Sequence, residues 1–305
     1  MSVVELSFFS ECLAKYTRVT VLLPMEASET GKFSSEFKTL WLLHGMTCNN
    51  MTMHNSLGLD PLSDKYELAI VMPDADLSFY VNMKYGGDYF DYITDELPRY
   101  LQALLPLSRE KKDNFIAGES MGGYGAFYLA MNKPGKYDAA ASLSGPMDIH
   151  DIAKVLSTDE LVAKKPLLVS DPEKFDTFAD EFSRKNDIPL ELIRTLIKQC
   201  NIRENRTFKA MFGENPELDG TDYDIFTLAK KLNASKEHLR LLALCGTSDF
   251  HYPGNLRFKK SVRELNIDYT FIDGPGGHSW EFWNPHFEDV VRWFLKRQDI
   301  QGDHS

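Results

Sequence analysis

The sequence contains no run of about 18 apolar residues, the length that a membrane-crossing helix requires. Its opening, Met1-Ser2-Val3-Val4-Glu5, lacks the basic start and apolar centre of a secretory leader. These absences lead to the expectation of a soluble, cytoplasmic protein with no membrane partner. Basic charge is also in deficit, with 34 Lys and Arg against 45 Asp and Glu, and no basic run is interleaved with aromatics. A net charge of -11 repels phosphate backbones, so nucleic acid is not an expected partner. The four cysteines, Cys12, Cys48, Cys200 and Cys245, are far apart and show no C-x-x-C spacing. That excludes a disulfide framework and a zinc knuckle, and leaves buried thiols as the expectation. Asp148, His150 and Asp151 cluster in MDIHDIA, but no second group of ligand spacing accompanies them. We therefore expect neither a metal nor a cofactor.

Repeats, low-complexity segments and Gly/Ser or Pro linkers are missing as well, which favours one domain over residues 1–305. What is present is 43% apolar residues, much of it in eight short runs. These are Val3–Phe9, Arg18–Leu23, Thr39–Leu43, Leu68–Met72, Asn114–Ala117, Ala139–Leu143, Leu239–Cys245 and Tyr269–Ile272. The first two are close enough to pair antiparallel, and the later ones are separated by helices, as parallel crossovers require. The expected architecture is α/β: an eight-stranded, mostly parallel sheet with helices on both faces. Phe90, Ile93, Leu97, Leu101 and Leu104 share a helical face, in a helix that Pro98 should interrupt or kink. A long acidic connection, about 148–236, lies between the sixth and seventh strands. It carries a capping-box pattern from Ser157 to Glu160 and a helical face of Leu192, Ile193, Leu196, Ile197 and Cys200. We read it as a helical insertion over one end of the sheet, placed where it would act as a lid.

The densest signal is GESMGGYGAF, Gly118 to Phe127, four glycines around one serine. NFIA before it reads as a buried strand and Met121 onward as a helix, so Ser120 falls on a sharp strand-to-helix turn. Gly-x-Ser-x-Gly in that setting presents a nucleophile on a strained elbow, with Gly118 and Gly122 leaving room where a Cβ would collide. A phosphate loop would end in Gly-Lys-Ser/Thr and a dinucleotide loop would read Gly-x-Gly-x-x-Gly; neither is spelled here. A serine hydroxyl needs a base, and the base an orienting acid. In this architecture they follow in the order Ser, Asp or Glu, His, each beyond a strand's carboxyl end. LALCGTSDF ends one strand with Asp249 just past it, and FIDGPGGHSW ends the next with His278. Asp273 and His251 are the weaker substitutes. Two backbone N–H donors are needed for the oxyanion. Met121 follows the serine, and LWLLHGMTCNN places Met46 after Gly45 beyond the third strand. His44 reads as an organiser of that loop. Among nearby aromatics, Tyr80, Tyr85 and Trp280 are expected, with His44 and Gly45, to line the substrate site.

With these residues in place the chain resembles the esterase D family of α/β-hydrolases, which includes bacterial tributyrin esterases and S-formylglutathione hydrolases. LLHGMTCNN, VMPDADLSFY, GGDYFDYITDELPRYL, FIAGESMGGYGAF, CGTSDFHYPGN and GPGGHSWEFW follow the family's order over nearly the whole chain. The resemblance implies an α/β-hydrolase fold with Ser120 as nucleophile, His278 as base, Asp249 as its partner, and Met46 and Met121 as oxyanion amides. His-Gly-Met is also the oxyanion loop of the tributyrin esterases, which hydrolyse short-chain acyl esters. S-formylglutathione hydrolases typically carry Ser-Gly-Leu-Thr-Cys, of which Thr47-Cys48 survives here. The implied activity is a serine carboxylesterase taking small acetyl to butyryl esters through an acyl-enzyme. Alternatives are S-formylglutathione, cinnamoyl or feruloyl, or acetyl-carbohydrate ester hydrolysis, acyl transfer, and non-catalytic binding. Homo-oligomer formation is left open.

Overall fold

All eight expected strands form. They are β1 (Ser2–Ser10), β2 (Lys15–Leu23), β3 (Lys38–Leu43), β4 (Leu68–Pro73), β5 (Asn114–Glu119), β6 (Ala139–Leu143), β7 (Arg240–Gly246) and β8 (Asp268–Gly274). This computed structural model describes residues 1–24, 36–156, 172–199, 202–214 and 216–295. The strands make one sheet in the order β1-β2-β4-β3-β5-β6-β7-β8. β2 runs antiparallel to β1 and β4, and every later pair is parallel. The parallel strands therefore deliver β3, β5, β6, β7 and β8 to one edge of the sheet by their carboxyl ends, where ligands of open α/β sheets bind.

The inner strands bury both faces, as continuous apolar runs must. In β3, Trp41 and Leu43 enter one core while Leu40 and Leu42 enter the other. The second core is closed by α1 (Asn50–Ser56), α2 (Leu59–Tyr66) and the C-terminal helix, α12 (Trp280–Phe294). The first is closed by α3 (Tyr89–Asp91), α4 (Leu97–Leu104) and α5 (Met121–Asn132), together with the connection that follows β6.

Pro98 does not break its helix. A π turn at Tyr92–Glu96 joins α3 to α4, with the Leu97 amide reaching back to Tyr92 O. The carbonyl of Thr94, which a residue-98 amide would otherwise take, accepts from Lys136 Nζ instead. The interruption expected at Pro98 takes the form of a widened turn, and the freed carbonyl keeps a donor.

The long connection holds α6 (Ile149–Leu156), α7 (Pro172–Asn186), α8 (Leu190–Gln199), α9 (Ile202–Phe212) and α10 (Ile225–Ala234). Ile152, Phe182, Ile193 and Phe208 join the same apolar cluster as Trp41 and Ile116 of the sheet. The last helix is not part of an added cap. α10 packs on α5 and on α11 (Tyr252–Val262), as a covering helix of the sheet. The added portion is thus narrower than 148–236. The Ser157–Glu160 capping box and the side chains of Leu196, Ile197 and Cys200 lie outside the described residues. Near its end, α9 is tied to the loop after β4: Lys84 N donates to Met211 O at 2.9 Å and Tyr85 N to Ala210 O at 2.8 Å. Among the described residues no helix is long and apolar enough to cross a membrane.

Candidate active site

β5 ends at Glu119 and α5 begins at Met121, leaving Ser120 alone on the turn at φ 52°, ψ -120°. A non-glycine residue there is strained by about 1–3 kcal/mol, which the surroundings must offset. They do so with backbone bonds on both sides: Ser120 N donates to Leu143 O at 2.9 Å, and Ser120 O accepts from Gly123 N at 2.9 Å. The two flanking glycines are required by contact. A Cβ on Gly118 would run into the Gly122 backbone, and one on Gly122 into Leu43 O at the end of β3. The helix thus starts pressed against the strand ends, and the half-buried Ser120 hydroxyl is left at the edge of the sheet.

Asp249 and His278 arrive from the loops after β7 and β8. The loops are bonded to each other, Thr247 N to Gly274 O at 2.9 Å and Ser248 N to Gly276 O at 2.8 Å, which fixes their spacing. His278 Nδ1 lies 2.9 Å from Asp249 Oδ2, and His278 Nε2 lies 2.9 Å from Ser120 Oγ. The other Asp249 oxygen accepts from His251 N at 2.8 Å. Burial alone would raise the Asp249 carboxyl, but the hydrogen bond and charge of His278, with the charge and amide of His251, hold it below the usual carboxylate range. An ionised Asp249 can only accept, so the imidazole proton sits on Nδ1. Nε2 is then left to accept from the serine hydroxyl. The ring is walled by Phe250, with centroids 4.4 Å apart, and edge-on by Trp283 at 4.9 Å. Trp283 is itself fixed by donating to Ser144 Oγ at 2.9 Å.

The two substitutes have other work. Burial and the charge of His278 push His251 down to about 3, keeping it neutral, and Asp273 accepts from Tyr252 OH at 2.5 Å. Asp148 and Asp151 are both spent on Arg257, at 2.9 and 2.5 Å. Among the described residues no group of three or more His, Cys, Asp or Glu is placed to hold a metal. Cys245 is buried, whereas Cys12 and Cys48 are half-buried, so fewer of the described thiols are buried than the expected majority.

The donor loop is a tight turn, Gly45 to Cys48, closed by Cys48 N donating to Gly45 O at 3.2 Å. Neither Met46 N nor Met121 N has a hydrogen-bond partner among the described residues. Met121 is the first residue of its helix, so its amide has none within the helix either. Below the turn, Ala75 N donates to His44 Nε2 at 3.0 Å, which makes Nε2 an acceptor. Nδ1 therefore carries the proton and donates to Gly45 O at 2.8 Å. Tyr80 OH donates to His44 O at 2.8 Å.

These contacts correct part of the expected substrate lining. His44 and Tyr80 are completely buried with their polar atoms engaged, and Gly45 is buried too, so all three hold the loop from beneath. Tyr85 is 67% exposed on the loop bound by α9, and Trp280 stands half-buried, edge-on to Trp283 at 5.1 Å. One residue escaped the sequence reading. Glu119, the variable letter of the serine motif, is buried and accepts from Gly45 N at 2.6 Å. A charge ending an otherwise apolar strand was the available signal.

A strained serine, an imidazole oriented by a carboxylate, and two free amides on an α/β sheet define a serine hydrolase of the α/β-hydrolase class. The sequence comparisons agree. The esterase family model, described as "Putative esterase", matches residues 10–294, so the chain belongs to that family. It is 26% identical to an acetyl esterase of Caldicellulosiruptor saccharolyticus, covering 98% of this chain and 100% of that one. Two solved Staphylococcus aureus structures are similar. FphF, a fluorophosphonate-binding serine hydrolase, has a TM-score of 0.77 and 27% identity, covering 98% of this chain and 99% of that one. The S-formylglutathione hydrolase FrmB has a TM-score of 0.74 and 28% identity, covering 96% of this chain and 98% of that one. The chain is an esterase D-like α/β-hydrolase, a carboxylic ester hydrolase of the serine esterase type.

Proposed function

We propose that the protein hydrolyses small acyl esters, acetyl to butyryl, through an acyl-enzyme on Ser120. The observation that carries this is the chain of two 2.9 Å contacts from Asp249 through His278 to Ser120, beside two unpartnered amides. Ser120 Oγ attacks the ester carbonyl carbon while His278 Nε2 takes its proton. The resulting oxyanion lies between Met46 N–H and Met121 N–H. Collapse expels the alcohol, which leaves with the proton from His278. Water then attacks the acyl-enzyme, activated by the same nitrogen, and releases the acid. Asp249 stabilises the imidazolium in each step without taking its proton.

The small-acyl reading is supported by the acetyl esterase relative, which aligns over its whole length. The thioester reading has the FrmB likeness behind it. A series of p-nitrophenyl esters from acetate to octanoate, run beside S-formylglutathione, separates them. The expected result is kcat/KM highest at acetate to butyrate and at least about tenfold lower for octanoate. A preference for octanoate sinks the small-acyl reading, and S-formylglutathione preferred over every ester replaces it by the thioesterase. A Ser120→Ala enzyme that keeps the wild-type rate would remove the nucleophile.

A further inference from the structure

Glu119 is a buried carboxylate one residue from the proposed nucleophile, and the reaction above gives it no task. Its contacts are specific. One carboxylate oxygen accepts from Gly45 N at 2.6 Å, and the charge of the carboxylate acts on the Cys48 thiol at the other end of the turn. Gly45 and Cys48 are the two ends of the donor turn, itself closed by Cys48 N to Gly45 O at 3.2 Å. The carboxylate also presses on the Gly45 Cα: its Cδ would lie 2.7 Å from any Cβ placed there. Within the turn, the carbonyl of Gly45 and the amide of Met46 belong to one planar trans peptide and point in opposite directions. Holding Gly45 O inward on His44 Nδ1 and Cys48 N therefore turns Met46 N–H outward.

We infer that Glu119 is a positioning residue for the reaction: a clamp on the Gly45 end of the Gly45–Cys48 turn that holds the Met46 amide aimed at the oxyanion. The inference rests on the assignment of Ser120 as nucleophile. Because the clamp sits on the residue preceding the serine, the nucleophile and the grip on the donor facing it are adjacent residues where β5 ends. Burial pushes the Glu119 carboxyl up to about 6, against the charge of His278, the Gly45 amide and the Cys48 thiol. The groups that face it are Gly45 N–H and Cys48 from the turn, His278 from the loop before α12, and the fully buried Tyr80 from the loop after β4. A buried carboxylate held at this cost implies that its acceptor geometry is used.

The test compares two variants of similar volume. Glu119→Gln keeps an oxygen that accepts from Gly45 N, and Glu119→Met has none. With p-nitrophenyl acetate the expected result is kcat reduced roughly 10- to 100-fold in Glu119→Met with KM within about twofold, the scale set by a donor displaced by about 1 Å. Glu119→Gln should return to within about threefold of wild type. A trifluoromethyl ketone, whose hemiketal oxygen occupies the donor site, should bind Glu119→Met weaker by the same factor as kcat falls. A general loosening of the fold would not produce that match. Wild-type kcat in Glu119→Met, a kcat loss without the matching ketone loss, or Glu119→Gln as impaired as Glu119→Met would each overturn the clamp. Should Glu119→Met fail to fold by circular dichroism, Glu119→Ala takes its place against Glu119→Gln with the same readouts. Ser120→Ala is run in parallel. If it is inactive while Glu119→Met is fully active, only the clamp falls; if it is active, the serine assignment falls first.

Discussion

Two polar networks meet at Ser120, and they are built differently. Asp249–His278–Ser120 comes from three loops and lies at the open edge of the sheet, with both serine and imidazole half-buried. The network beneath it, Glu119, Gly45, His44 and Tyr80, is closed: all four residues are buried. The first must exchange protons with substrate and water, so it needs access and a group that changes charge in each cycle. The second must present an amide at one fixed angle, so it needs burial and no change at all. Preorganised donors act without reorganising when charge develops, which is why rigidity below and exposure above belong to one site.

The contrast is sharpest where the networks are cut. Ser120→Ala should lower kcat by about 10⁴- to 10⁶-fold while the enzyme still binds ester, because only the reacting oxygen is lost. Its near-complete loss of fluorophosphonate labelling is the check, and labelling at the wild-type rate would contradict it. Asp249→Asn should cost somewhat less, about 10³- to 10⁴-fold, since the amide offers its NH₂ where Nδ1–H needs an acceptor and so favours the wrong imidazole tautomer. The fold should survive. A kcat within tenfold of wild type would show that the carboxylate does not orient the ring.

The open network was legible in the sequence and the closed one was not, for physical reasons. Gly118 and Gly122 betray the elbow because a backbone clash admits only glycine there, and Asp249 and His278 are marked by their places after strands. Eight strands were equally visible, since strands buried on both faces leave apolar runs. His44 was read as an organiser of the donor loop, which its bonds to Gly45 O and Ala75 N bear out, but it was also expected, with Gly45 and Tyr80, at the surface of the site because nothing local records depth. Their burial is set by how β3, β4 and β5 stack. Glu119 hid in the variable position of its motif. Pro98 was read as an interruption or a kink, but the form it takes, a π turn, was not legible because the Lys136 amine that satisfies the Thr94 carbonyl is remote in sequence. α10 was merged into the insertion because only its packing on α5 separates it from the helices before it.

The networks also answer oppositely to pH. Asp249 has a carboxyl held below its usual value of 3.8, so the stability it contributes is present above that value and is lost as pH falls through the depressed native one. Glu119 goes the other way. Between 4.5 and about 6 the native protein keeps a proton on Glu119 that the unfolded chain has released, so the contribution of Glu119 to stability falls as pH rises through that window. The cost levels off above it at about 2 kcal/mol. The wild type contains this loss and Glu119→Gln does not, so urea unfolding at pH 4.5 and 7.5 should show the variant gaining about 2 kcal/mol on the wild type at the higher pH, while the opposite contribution of buried His251 is common to both proteins and cancels. An unchanged difference between the two pH values would show that Glu119 is not the group titrating.

The smallest expected effect probes the far end of the closed network. Tyr80 OH reaches the carbonyl of His44, at 2.8 Å, one peptide unit before the Met46 amide. Tyr80→Phe removes that hydroxyl and keeps the ring, which stands edge-on to His44 with centroids 6.1 Å apart. The loss leaves one buried carbonyl without its donor, a cost of about 1 kcal/mol in stability. The turn keeps its other holds, on Glu119 and on the His44 ring, so kcat should fall only about two- to fivefold. The loss should be felt equally by every acyl length, because the oxyanion is common to all esters. A drop confined to longer acyl chains would instead place Tyr80 in contact with substrate, reversing its assignment as a support.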